Sequence, residues 1–176
     1  MALRVLYLHG AGAAPGDAPF DTIRTILGPA EVVAPQLADP EPEAWATVIA
    51  EALDDLPEDA ILIGHSLGAS MLLQVLARRR PVRRAPAVFA FASPFWGAPG
   101  WDHAGFALPE DLGGLDGVGE MFLYHGTADT VVAPDHGDRY AARLGRARVR
   151  RVAGADHCFE GADLAVFATD LRKILT

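Results

Sequence analysis

At 176 residues, 51% of them hydrophobic and 22% charged, the chain is long enough to bury one full core and reads as a single domain over 1–176. Its formal net charge of −8 excludes a general binder of phosphate backbones, which carries a basic surface, so no nucleic-acid partner is expected. One cysteine, Cys158, excludes an internal disulfide framework, and no apolar run reaches the roughly 18 residues of a membrane span.

The start of the chain, Met1 to Leu8, lacks the cleavage region of a signal peptide, so the expected location is the cytoplasm, with no membrane partner. Arg4–Leu8 reads instead as a first strand. It runs into Leu8-His9-Gly10-Ala11-Gly12, small residues that let a backbone approach a ligand closely, with His9 placed to line a pocket. Ala13-Ala14-Pro15 breaks the spacing of a phosphate-binding G-x-G-x-x-G. A second strand at Ala30–Ala34 precedes a helix whose Trp45, Val48, Ile49, Ala52, Leu53 and Leu56 recur in steps of three and four along one face.

The third strand, Ala60–Gly64, leads into Gly64-His65-Ser66-Leu67-Gly68 and then the apolar helix of Met71, Leu72, Val75 and Leu76. A G-x-S-x-G between strand and helix reads as a nucleophile elbow, a sharp turn that lifts a serine hydroxyl above the sheet. The basic run Arg78-Arg79-Arg80 with Arg83-Arg84 follows that helix and reads as its solvated C-terminal end, where cations oppose the dipole. A fourth strand at Ala87–Ala92 gives way to an irregular stretch, residues 93–119, with three prolines and seven glycines. Because it holds Phe95, Trp96, Trp101 and Phe106, it is expected to fold over the serine as a reduced lid or pocket wall.

A fifth strand, Glu120–Tyr124, ends in Gly126-Thr127-Ala128-Asp129; a polar helix spans about Pro134 to Leu144. The sixth strand, Ala147–Val152, is followed by Ala155-Asp156-His157-Cys158 and a last helix carrying Leu164, Phe167, Leu171 and Ile174. Strands alternating with helices imply βαβ units and a parallel sheet with helices on both faces, a three-layer α/β/α sandwich.

A serine hydroxyl is a poor nucleophile at neutral pH, so Ser66 needs an imidazole to take its proton and a carboxylate to orient that imidazole. His157 and Asp129 are the candidates, because each lies just past the carboxyl end of a separate strand, the side of an open parallel sheet where ligands bind. Asp135 and Asp138 lie on or at the start of a helix, and Asp156 adjoins the histidine too closely. Among the other histidines, His65 is expected to brace the elbow, His103 to line the pocket, His125 to sit at a strand end and His136 on an exposed helix start. No pair has metal-ligand spacing, so neither metal nor cofactor is expected. Leu67, directly after the nucleophile, and Ala11 are the candidate backbone donors of an oxyanion hole. Cys158 reads as a small buried residue.

These residues resemble the α/β-hydrolase superfamily, and within it the small serine hydrolases of the RBBP9/YdeN type. The resemblance rests on the strand-then-His9-Gly10 opening, the Gly64–Gly68 elbow, the Gly126-Thr127-Ala128-Asp129 turn and the late His157. It implies a reduced α/β-hydrolase fold of six parallel strands in the order 2-1-3-4-5-6, without a full cap domain. The expected function is hydrolysis of a small-molecule carboxylic ester with a small or medium apolar acyl group, through an acyl-enzyme on Ser66. The alternatives are a non-catalytic interaction domain on the same fold, or an acyltransferase or thioesterase using the same three side chains.

Overall fold

Period-two alternation in the strands sorts the core into two faces of one sheet. In the computed structural model, which describes residues 2–176, the strands are β1 (Arg4–Leu8), β2 (Glu31–Val33), β3 (Ile61–His65), β4 (Ala85–Phe91), β5 (Val118–Gly126) and β6 (Arg148–Val152). All pair in parallel, in the order β2-β1-β3-β4-β5-β6. The helices are α1 (Phe20–Leu27), α2 (Pro42–Asp54), α3 (Leu67–Arg78), α4 (Asp135–Leu144) and α5 (Ala165–Leu175).

Leu6, Leu62, Val88 and Leu123 pack with α2, α3 and Tyr140 of α4 on one face. Their neighbours Tyr7, Ile63, Phe89 and Tyr124 pack with Ile23 of α1 and Phe167 and Leu171 of α5 on the other. Successive strand residues point to opposite sides, so a run such as Val-Leu-Tyr-Leu buries both faces when helices cover each. On the second face Tyr124 donates to Asp170 Oδ2 at 3.0 Å, and Arg150 grips the same carboxylate with Nε at 2.8 Å and Nη2 at 3.1 Å, fastening α5 to the sheet.

The direction of chain progression reverses between β1 and β3, the switch point of the sheet, and the loops that follow these two strands are therefore neighbours. The strand β6 is an outer edge with the sequence Arg-Val-Arg-Arg-Val, and its guanidinium groups pair with Glu120, Asp170 and Asp138.

One basic-run expectation changes. Arg79 and Arg80 pair with Asp54 and Asp111 at the surface, but Arg83 is buried rather than solvated. It donates to the carbonyls of Leu53, Leu56 and Pro57, and so caps the C-terminal end of α2, whose last carbonyls have no intrahelical partner. β4 and β5 also begin two residues before the expected starts, because the 3-10 turn ends at Gly117 and Val118 pairs directly with Ala85.

The stretch 93–119 holds two short 3-10 turns, Ala104–Phe106 and Gly113–Gly117. It does not lie over Ser66. Gln74 of α3 donates to the carbonyls of Gly105 and Ala107 at 2.7 and 2.8 Å, drawing the segment down the flank of α3. Its rings plug that flank: Phe95 meets Tyr140 edge-on at 5.0 Å, and Trp96 packs against Phe106 and Trp101 at 5.0 and 5.3 Å. Trp101 is 38% exposed.

Candidate active site

Ser66 sits between β3 and α3 with φ 53° and ψ −126°. A non-glycine residue in that region costs on the order of 1–3 kcal/mol and persists only where the surroundings hold it. The two motif glycines provide the space. A Cβ at Gly64 would stand 2.5 Å from Ala69 Cα, and one at Gly68 would strike the carbonyl oxygens of His9 and Leu8. Ser66 N–H donates to Phe91 O at 2.8 Å, which fixes the turn against β4.

Asp129 lies in the turn after β5 and is 6% exposed. Its Oδ1 accepts the backbone N–H groups of Val131 and Val132 at 2.9 and 2.8 Å, leaving Oδ2 to face His157 Nδ1 at 2.9 Å. His157, in the loop after β6, brings Nε2 to 3.0 Å from Ser66 Oγ. A carboxylate only accepts, so the network assigns the proton to Nδ1 and leaves Nε2 as an acceptor for the serine hydroxyl. The structure thus brings together the three side chains expected from the sequence, in one hydrogen-bonded line.

Leu67 opens α3, so its N–H has no intrahelical acceptor. Gly10, just before Ala11, packs so closely that a Cβ on it would come 3.0 Å from Ser66 Cβ. Both candidate donors therefore belong to segments that border the nucleophile.

The remaining histidines have structural partners. His65 is buried and donates Nε2–H to His157 O at 2.9 Å; burial pushes its pKa down to about 4, so the ring is neutral. His125 donates to Val132 O at 2.9 Å and stands 3.4 Å from Asp129 Oδ2. His136 is 4% exposed rather than on an open helix start, because its Nδ1 accepts Phe95 N–H at 2.8 Å where α4 meets the segment after β4. Burial lowers the pKa of both. His103 is exposed and stacks on Phe106 at 4.4 Å.

A cavity of about 410 Å³ opens beside Ser66 between the Gly10–Ala13 loop, Asp17 and Ala18 on one side and His157, Cys158 and Glu160 on the other. None of His9, Phe95, Trp96, Trp101 and Phe106 lines it, which corrects the expected pocket. His9 is buried beneath the loop, with Nδ1 toward Gly10 O at 2.8 Å and Nε2 accepting Leu37 N–H at 3.0 Å, so both nitrogens are used to hold the backbone. Cys158 is half-buried and borders the cavity. The lining residues Asp17 and Glu160 escaped the sequence reading; the only local signals are the turn pattern Pro15-Gly16-Asp17 and the three-residue step from His157 to Glu160.

The sequence matches the profile described as "Alpha/beta hydrolase family" over residues 5–122, a span that includes Ser66 and ends before Asp129 and His157. No curated protein matches the chain. Among solved structures, the ydeN gene product from B. subtilis superimposes with a TM-score of 0.79 at 16% identity, covering 99% of each chain. A carboxylesterase of the thaumarchaeon Nitrososphaera gargenis gives 0.76 at 12% identity, over 99% of this chain and 91% of that one. Acyl-protein thioesterase 2 of Zea mays gives 0.68 at 17% identity, over 99% and 94%. At these identities the likeness is one of fold.

Proposed function

Since the chain belongs to the alpha/beta hydrolase family, we propose that it is a serine hydrolase that cleaves a carboxylic ester through an acyl-enzyme on Ser66. The observation that carries this reading is the continuous line from Asp129 Oδ2 through His157 to Ser66 Oγ, with steps of 2.9 and 3.0 Å.

Ser66 Oγ attacks the ester carbonyl carbon while its proton passes to His157 Nε2. The N–H groups of Leu67 and Ala11 receive the oxyanion; each such donor is worth roughly 10² to 10³ in turnover. The tetrahedral species collapses, the carbon–oxygen bond to the alcohol breaks, and His157 protonates the leaving oxygen. Water then attacks the acyl-enzyme with His157 as base. Collapse returns a proton to Ser66 Oγ and releases the acid. Throughout, Asp129 keeps the second imidazole proton on Nδ1 and stabilises the imidazolium.

The test is a panel of p-nitrophenyl esters of increasing chain length together with a fluorophosphonate probe. Turnover lost in Ser66→Ala and one probe adduct mapped to Ser66 are expected. An unlabelled folded protein, inactive on every ester, would overturn the reading and favour a binding domain.

A further inference from the structure

The side chains around the Ser66 cavity share one property. Beyond Ser66 and His157, the polar ones are Asp17, His65, Glu160 and the Cys158 thiol, with no arginine or lysine. A second hollow of about 410 Å³ adjoins across Gly12 and Ala13; it adds Gln36 and Asp39, again without a cation. Asp17 accepts Ala14 N–H at 2.7 Å. Among the described residues neither Asp17, Glu160 nor Asp39 pairs with an arginine or lysine, whereas seven other carboxylates do.

The cations are elsewhere. Arg78, Arg79, Arg80, Arg83 and Arg84 lie at and beyond the C-terminal end of α3, whose N-terminus carries Ser66. Twelve helical residues separate the two ends by about 18 Å. The rim of the cavity is thus negative while these arginines gather at the other end of α3, an arrangement that draws cations toward Ser66 and repels anions.

His65 supplies an independent sign. Its Nε2–H is spent on the His157 carbonyl, so Nδ1 carries a lone pair. That atom is buried and has no hydrogen-bond partner. It lies behind Gly10, 3.4 Å from the position a Cβ on that residue would take, and both residues border the cavity. A buried acceptor without a donor costs about 1–3 kcal/mol, and its uncompensated lone pair adds to the negative potential beside the cavity. The field of the acids also reaches the wall: burial raises the Cys158 pKa, and the carboxylates of Asp156, Glu160, Asp129 and Asp17 raise it further.

Resting on the assignment of Ser66 as the nucleophile, we infer that this site selects esters bearing a protonated amine, held by Asp17 and Glu160 with the His65 Nδ1 lone pair adding to their field. Esters bearing a carboxylate are its poorest substrates. The same acceptors serve an ammonium on the acyl or the alcohol side, and two probe series separate the sides.

The first series is the p-nitrophenyl esters of hexanoic acid, ε-aminocaproic acid and adipic acid (monoester). The second is the acetates of propanolamine and hydroxypropionic acid, followed by acid release at constant pH. In at least one series kcat/KM for the cationic ester should exceed that for the anionic one by about tenfold or more at low ionic strength, and the ratio should shrink in about 0.5 M salt. Asp17→Asn, which keeps an acceptor for Ala14, combined with Glu160→Gln should cut that ratio by about threefold to tenfold per carboxylate. A ratio compares two substrates on one sample, so partial loss of folded protein does not move it.

Equal rates within both series, or a ratio indifferent to the double variant, overturns the inference and leaves ester hydrolysis standing. Failure of every ester while the fluorophosphonate still labels Ser66 overturns the inference alone. Failure of every ester with Ser66 unlabelled overturns both it and the reading on which it rests.

Discussion

His65 and His157, 92 residues apart in the chain, are joined by the hydrogen bond from His65 Nε2 to the His157 carbonyl at 2.9 Å, with ring centroids 5.1 Å apart. Because Ser66 follows His65 directly, this one bond ties the elbow to the loop that carries the proposed base. His157 is then held from two directions, by Asp129 on its side chain and by His65 on its backbone.

That clamp predicts a loss of turnover in His65→Ala. A misplacement of about 1 Å at a reacting group can lower the rate by roughly 10²-fold, so kcat should fall by one to two orders of magnitude with a smaller change in KM. His65→Gln restores an N–H donor of similar reach and should recover part of the loss. Steady-state kinetics on a p-nitrophenyl ester checks both, and equal losses in the two variants would show that the bond is not what matters.

His65 also makes stability depend on pH. Its pKa is near 6.5 in the unfolded chain and about 4 when buried. Between these values the unfolded state binds more protons, so the neutral ring's stabilisation is complete above pH 6.5 and is lost as pH falls toward 4. The loss should reach roughly 2 kcal/mol by pH 5. Urea unfolding at pH 7 and pH 5 should show this difference, and His65→Gln should flatten it relative to the parent.

Asp129→Asn should abolish turnover without unfolding the turn. The amide oxygen takes the place of Oδ1 and keeps accepting from Val131 and Val132. Its NH₂ then faces His157 Nδ1 where Oδ2 stood. A donor at that point forces Nδ1 to accept and moves the ring proton to Nε2, which can no longer take the proton of Ser66. A drop in kcat of roughly 10⁴ with near-parental thermal stability is expected from activity and melting curves.

The aromatic segment should affect stability more than rate. Trp101 lines no part of the Ser66 cavity, so Trp101→Ala should leave kcat/KM for a short ester within about twofold. Gln74→Ala strands the carbonyls of Gly105 and Ala107. It should cost about 1–3 kcal/mol in a denaturant titration. A tenfold rate loss in Trp101→Ala would restore the segment to the site.

Short-range pattern made much of this molecule legible. The central strands announce themselves by runs of apolar residues, and Ser66 and Asp129 are readable because each stands just beyond such a run; His157 is readable only from the valines of the arginine-rich β6 and the short loop after it. What stayed hidden depends on which distant surface a side chain meets. Nothing near Gln74 tells that it will pull residues 105 and 107 toward α3 and away from Ser66, so Phe95 and Trp96 look like pocket walls until the sheet and helices are assembled. Arg83 is similar: its neighbours are solvated arginines, and only the carbonyls at the end of α2, about thirty residues earlier, make a buried guanidinium affordable. Asp17 and Glu160 are single polar residues without period or motif, and their common cavity exists only once the loops after β1 and β6 meet.

An open sheet must also guard its outermost strand. On β6 three of five residues are arginines, each engaged with an acidic group of its own molecule. A second copy trying to add a strand there would bring two rows of guanidinium groups face to face and would have to break those pairs first. Like-charge repulsion of this kind discourages runaway edge-to-edge polymerisation, so the flank farthest from β2 is shielded from the association that exposed backbone otherwise invites.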